Sequence, residues 1–177
     1  MNDKKIYKLC IIGAGNMGQA IISGLITRKI FNRNQIAAIE ISQKKIREVK
    51  KKFKIECSDD FSICRKARII LLAVKPQDLD TAMENMAGFI KKSQFFISII
   101  AGKSIKTIEK TLPFKASIAR VMPNTPAFVM AGISGICFNR HTTPFQKKEA
   151  IKILRSCLLY TSPSPRDLST SRMPSSA

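Results

Sequence analysis

Gly13-Ala14-Gly15-Asn16-Met17-Gly18 stands directly behind the apolar run Leu9-Cys10-Ile11-Ile12. It reads G-x-G-x-x-G after a strand pattern and at the head of a helix pattern. Each glycine in such a turn does something different. Gly13 turns sharply out of the strand, Gly15 leaves room for a pyrophosphate, and Gly18 lets the helix pack close to the strand. The phosphates then meet free N–H groups at the positive end of the helix. Ile12, Gly13, Ala14, Gly15, Asn16, Met17 and Gly18 are therefore candidate residues for a dinucleotide.

Outward from this turn, strand and helix patterns alternate. Strands are expected at Tyr7–Ile12, Gln35–Ile39, Lys54–Cys57, Arg68–Val74, Phe95–Ile100, Lys115–Val121 and Ile133–Phe138. Helices are expected at Asn16–Lys29, Gln43–Phe53, Asp59–Lys66, Asp78–Lys91, from Ser104 to Leu112, and at Pro144–Arg155. Near-continuous apolar strands separated by amphipathic helices predict an α/β protein with a doubly wound, mostly parallel sheet. In such sheets ligands bind beyond the carboxyl ends of the strands, where the strand order switches. The loops after Ile12, Ile39, Val74, Ile100 and Val121 are the ones to watch.

Composition narrows the function classes. A chain of 177 residues is long enough for one self-sufficient core. No apolar run approaches the ~20 residues that span a bilayer, and residues 1–8 do not read as a signal peptide. The cysteines Cys10, Cys57, Cys64, Cys137 and Cys157 form no C-x-x-C pair, and His141 is the lone histidine. That spacing predicts reduced thiols and no metal site. Cys10 and Cys137 read as core residues of apolar strands, and His141 as a surface loop residue.

The net charge is +19, from 31 Lys and Arg against 12 Asp and Glu. This raises nucleic-acid binding as a rival reading. The densest group, Lys44, Lys45, Arg47, Lys50, Lys51, Lys52 and Lys54, falls on one predicted helix with no interleaved aromatics. It reads as a solvated basic face.

The strand-end loops carry further candidates. Glu40 stands 22 residues past Gly18, where an acid hydrogen-bonds a ribose 2′-OH and favours NAD. Ser42, Lys44 and Lys45 follow at once and suit a 2′-phosphate, so NAD and NADP remain open. Lys75 and Pro76 follow Val74, and Gly102 follows Ala101. Pro123-Asn124-Thr125-Pro126 is a stiff loop suited to positioning a substrate or a nicotinamide.

Four blocks together carry a family resemblance: GAGNMGQAI (13–21), LLAVKPQDL (71–79), SIIAGKSIKTIE (98–109) and RVMPNTPAFVMAGISGI (120–136). They resemble, in order and spacing, the amino-terminal domain of pyrroline-5-carboxylate reductase. The resemblance implies a Rossmann-type fold and NADP or NAD as cofactor. It implies reduction of 1-pyrroline-5-carboxylate to proline in a cytoplasmic homo-oligomer; the short apolar runs and the spread of basic residues point away from membrane and nucleic-acid partners. It places Ile12–Met17 at the pyrophosphate, and Glu40, Ser42 and Asp60 at the adenosine ribose. Val74, Lys75 and Ala101 fall along the cofactor, and Asn124 and Thr125 at the nicotinamide. Glu40 and Asp60 depart from the family pattern, in which small residues or asparagine are common, and both add negative charge. Other imine or ketone reductases, and a non-enzymatic basic binding protein, are the alternatives.

The last segment breaks the pattern. Residues 158–177, LLYTSPSPRDLSTSRMPSSA, contain no lysine and no isoleucine. They read as a non-native or disordered tail after a cofactor domain at 1–157. In the resembled family a helical dimerisation domain with the catalytic substrate site begins there, and it is expected to be absent from this chain.

Overall fold

The computed structural model describes residues 6–123 and 133–155. Seven strands form one sheet: β1 (Tyr7–Ile12), β2 (Ile36–Ile39), β3 (Glu56–Ser58), β4 (Ala67–Leu72), β5 (Phe95–Ser98), β6 (Ser117–Pro123) and β7 (Ile133–Phe138). Their spatial order is β3-β2-β1-β4-β5-β6-β7. All pairs are parallel except β6–β7, which is antiparallel with a register shift at Met122/Pro123. The chain leaves β1 toward β2 on one side and returns with β4 on the other, so the switch point lies between β1 and β4.

Helices cover both faces. Alternate strand residues feed two apolar layers, because successive side chains point to opposite sides of a strand. Leu9, Ile11, Ile69, Leu71, Ile97 and Val121 pack under α1 (Asn16–Thr27), α2 (Gln43–Phe53) and α5 (Pro144–Arg155). Cys10, Ile12, Ile70, Leu72, Phe96 and Ile118 pack under α3 (Leu79–Met86) and α4 (Ile105–Thr111). Burial on both faces explains why these strands read as continuous apolar runs.

Several boundaries differ from the sequence reading, each for a local reason. Lys54 does not start a strand: it leaves α2 in the left-handed region at φ 53° and donates to Lys50 O, so β3 begins at Glu56. The segment expected as a helix at 59–66 is a 3-10 helix, Phe61–Lys66, capped by Asp60 accepting from Ser62 N. The helix expected to Lys91 ends at Met86, where Ala87 and Phe89 switch to three-residue backbone bonds around Gly88. Cys10 is fully buried, but Cys137 is only half-buried. The basic group from Lys44 to Lys54 is exposed throughout, while the apolar positions Ile46, Val49 and Phe53 of α2 are buried.

Candidate functional site

The carboxyl ends of β1, β2 and β4 open into a cleft of about 400 Å³. Its floor is Ile12, Gly13 and Gly15 after β1. One wall is Ile39–Ser42 and Lys45, and the other is Ala73–Lys75 with Asp78, Thr81, Ala82 and Asn85 of α3 and the turn before it. A larger groove at the opposite edge, between Arg65–Ile69 and Phe145, lies at the amino ends of the strands. Ligands of open α/β sheets bind at the carboxyl edge, so the cleft is the candidate.

The glycine turn has the geometry its sequence implies. Gly13 sits at φ +95°, and a Cβ there would lie 2.8 Å from the Ala73 carbonyl oxygen. Its N–H donates to Ile39 O at 2.8 Å, while Ala73 N donates to Ile12 O at 2.8 Å, so the turn is stitched to both neighbouring loops. A Cβ on Gly15 would meet nothing within 4 Å. The space above Gly15 is therefore open, as a cradle for an approaching group requires. Gly15 caps α1 with no side chain of its own, which leaves the first amides of that helix for an anion.

Glu40 is not an exposed strand-end acid. It is 8% exposed. Its Oε2 accepts from Ala14 N, and its Oε1 accepts from Ile41 N and Ser42 N, each at 3.1 Å. One carboxylate thus ties the glycine turn to the loop that opens α2. Ser42 lines the same wall and caps α2, its Oγ accepting from Lys45 N at 3.5 Å. Beneath the wall, burial pushes the Cys57 thiol up to about 11, and the Glu40 carboxylate adds to the rise.

The structure brings Ile12, Gly13, Gly15, Glu40, Ser42, Val74 and Lys75 to one cleft. Ala14 joins them through its amide. Asn16 and Met17 open α1, Met17 packing on the core, and Gly18 is buried beneath the Gly13 carbonyl. Asp60 is not in the lining: its carboxylate is engaged with Ser62, whose hydroxyl and then amide hold it below the usual carboxylate range. Ala101 is exposed on the loop after β5, also outside the lining. Asn124 and Thr125 lie outside the described residues. Sequence reasoning missed the α3 wall. Asp78, Thr81, Ala82 and Asn85 recur at helical spacing, a signal that marks one helix face without saying what it faces.

Fold and cleft define a Rossmann-type nucleotide-binding domain. The chain belongs to the family described as NADP oxidoreductase, coenzyme F420-dependent, whose model matches residues 8–102. It is 35% identical over 147 residues to a pyrroline-5-carboxylate reductase of Methanosarcina acetivorans, covering 82% of this chain. It superimposes on a pyrroline-5-carboxylate reductase of Coxiella burnetii with TM-score 0.81 at 31% identity, over 86% of this chain and 57% of that one. It also superimposes on the Plasmodium falciparum pyrroline carboxylate reductase with NADP bound, with TM-score 0.75 at 25% identity, over 94% of this chain and 61% of that one. The resemblance carried by the four sequence blocks holds. The chain spans 54% of the length of the Methanosarcina relative.

Proposed function

We propose that this chain is the cofactor-binding part of a pyrroline-5-carboxylate reductase, holding NAD(P)H for reduction of 1-pyrroline-5-carboxylate to L-proline. The observation that carries this reading is the open space above Gly15, at the switch point between β1 and β4. The glycine turn and the start of α1 would hold the pyrophosphate on backbone amides. Glu40 and Ser42 would meet the adenosine ribose, and Val74 and Lys75 would line the path toward the nicotinamide. A bound NAD(P)H would supply the hydride for reduction of the C=N bond. The part of this chain is binding and orientation: the stitched loops fix the turn, and the α3 wall narrows the cleft.

Asp60 and Ala101 enter this reading through the resemblance alone, and Asn124 and Thr125 through the resemblance and the stiff loop in which they stand. The resemblance also supports a cytoplasmic location and the homo-oligomer, and the boundary near residue 157 rests on the composition shift at 158–177 beside it. No helix among the described residues is long and apolar enough to cross a membrane. Substrate and catalytic residues are assigned to the part of the relatives that this chain does not span.

Fluorescence titration of the purified 177-residue chain with NADH and NADPH at physiological salt tests the cofactor reading. Saturable binding is the expected result, and no saturable binding of either nucleotide removes it. A turnover assay with 1-pyrroline-5-carboxylate at enzyme-level concentration should then show very slow reduction or none. Robust turnover would place the substrate site within this chain.

A further inference from the structure

We propose that Glu40 makes this cleft selective for a dinucleotide with a free ribose 2′-hydroxyl, so that NADH binds more tightly than NADPH. The inference rests on the cofactor reading above and names the ligand class of that same site.

An ionised carboxylate offers about four lone-pair directions. In Glu40 three are filled, by the amides of Ala14, Ile41 and Ser42. Oε1 takes two of these bonds and Oε2 takes one, so the remaining acceptor direction belongs to Oε2, the oxygen that also holds the glycine turn. What fits there is a donor. A ribose 2′-hydroxyl donates. A 2′-phosphate near neutral pH offers acceptors and a charge of about −1.5 to −2, which repels the carboxylate.

The carboxylate cannot readily swing aside. It is 8% exposed and bonded at both oxygens to two different loops. Its hydrogen-bond partners among the described residues are neutral amides, which hold its position without cancelling its charge. The cations that line the cleft, Lys45 on the same wall and Lys75 on the opposite one, are both exposed. An exposed lysine is screened by solvent and salt, whereas a carboxylate at the cleft wall is screened less. The Ser42 oxygen already accepts from the backbone in capping α2. The fixed negative charge therefore outweighs the two solvated positive ones.

Glu40 acts in two separable ways. It anchors the glycine turn, which matters equally for both nucleotides. It also sets the charge at the 2′ position, which matters for their ratio. The test reads the ratio. Dissociation constants for NADH and NADPH are measured on the full chain, on Glu40→Gln and on Glu40→Asp, with circular dichroism checking that each variant is folded. The wild-type chain should bind NADH at least about tenfold more tightly. Glu40→Gln should lower that preference by at least about tenfold, and Glu40→Asp should retain it. If either variant fails to fold, the wild-type ratio still decides. Tighter binding of NADPH by the wild-type chain overturns the inference and leaves the cofactor reading standing. An unchanged ratio in folded Glu40→Gln, with both affinities reduced alike, also overturns it and reduces Glu40 to a loop anchor. No saturable binding of either nucleotide overturns the inference together with the cofactor reading.

Discussion

A Cβ placed on Gly18 would lie 2.3 Å from the carbonyl oxygen of Gly13. Five residues apart in sequence, the two glycines press the first turn of α1 against the end of β1. This contact separates the structural glycines from the one that faces a ligand. Gly18→Ala should cost about 1–3 kcal/mol of stability by overpacking against backbone. Gly15→Ala has open space for its Cβ and an ordinary φ of −69°, so it should change stability by no more than about 0.5 kcal/mol. The same Gly15→Ala should weaken nucleotide binding at least about tenfold by filling the cradle. Denaturant melts and titrations on both variants check this. Unimpaired binding by Gly15→Ala would remove the pyrophosphate from that position.

Gln94 illustrates a polar side chain that organises a corner of the fold away from the cleft. It is 3% exposed. Its Nε2 donates to Cys64 O and Ala67 O, and its Oε1 accepts from Lys91 N, all at 2.7 Å. It thereby joins the start of β4 to the turn before β5. Gln94→Ala removes the side-chain bonds of two buried carbonyls, of which Cys64 O keeps its bond from Ala67 N, and of the Lys91 amide, with an expected loss of about 1–3 kcal/mol. Gln94→Glu keeps the acceptor but removes the donors and should lose stability too. Unfolding free energies at pH 7 give the comparison, and an alanine variant as stable as wild type would contradict the bonding described.

Legibility in the sequence followed the range of the interactions. The strand–glycine–helix unit was readable because all its determinants lie within about a dozen residues, and apolar runs between amphipathic segments gave the parallel class. The direction of β7 was not readable, since an apolar run carries no sign of parallel or antiparallel pairing. The role of Glu40 was half readable. Its spacing marked a strand-end acid at the site, but its bond to Ala14 N spans 26 residues and exists only once β1 and β2 are paired. Asp60 shows the converse. Family resemblance carried it to the ribose, whereas its own neighbour Ser62 engages the carboxylate locally. The α3 wall was hidden because polar residues on an amphipathic helix look alike whether they face water or a ligand.

Cys57 provides a pH test of burial. Its thiol is fully buried on β3, and burial first, then the Glu40 carboxylate, raise it from 9.0 to about 11. The folded state thus holds this proton more tightly than the unfolded state. The corresponding stability is present below pH 9 and is lost as pH rises through about 11. Measured against Cys57→Ala, the wild-type chain should lose at most about 3 kcal/mol of relative stability over that range. Lysine titration is common to both proteins and cancels in the difference. A difference independent of pH from 8 to about 11 would mean the thiol is not held in its neutral form.

Asp60 titrates in the opposite sense. The Ser62 hydroxyl, donating at 2.6 Å, and the Ser62 amide, at 2.8 Å, both favour the charged carboxylate and lower its pKa from 3.8. The folded value lies below the unfolded one, so the stabilising contribution is present above pH 3.8 and is lost as pH falls through the folded value. The hydroxyl is the larger cause, and removing it should leave the amide bond and the cap of the 3-10 helix in place. Ser62→Ala should therefore move the Asp60 pKa upward without displacing Phe61–Lys66. Carbon-detected NMR titration of the side-chain carboxyl reads the shift directly. If the pKa is unmoved, the hydroxyl does not donate to Asp60 in solution, and the amide of Ser62 alone holds the carboxylate.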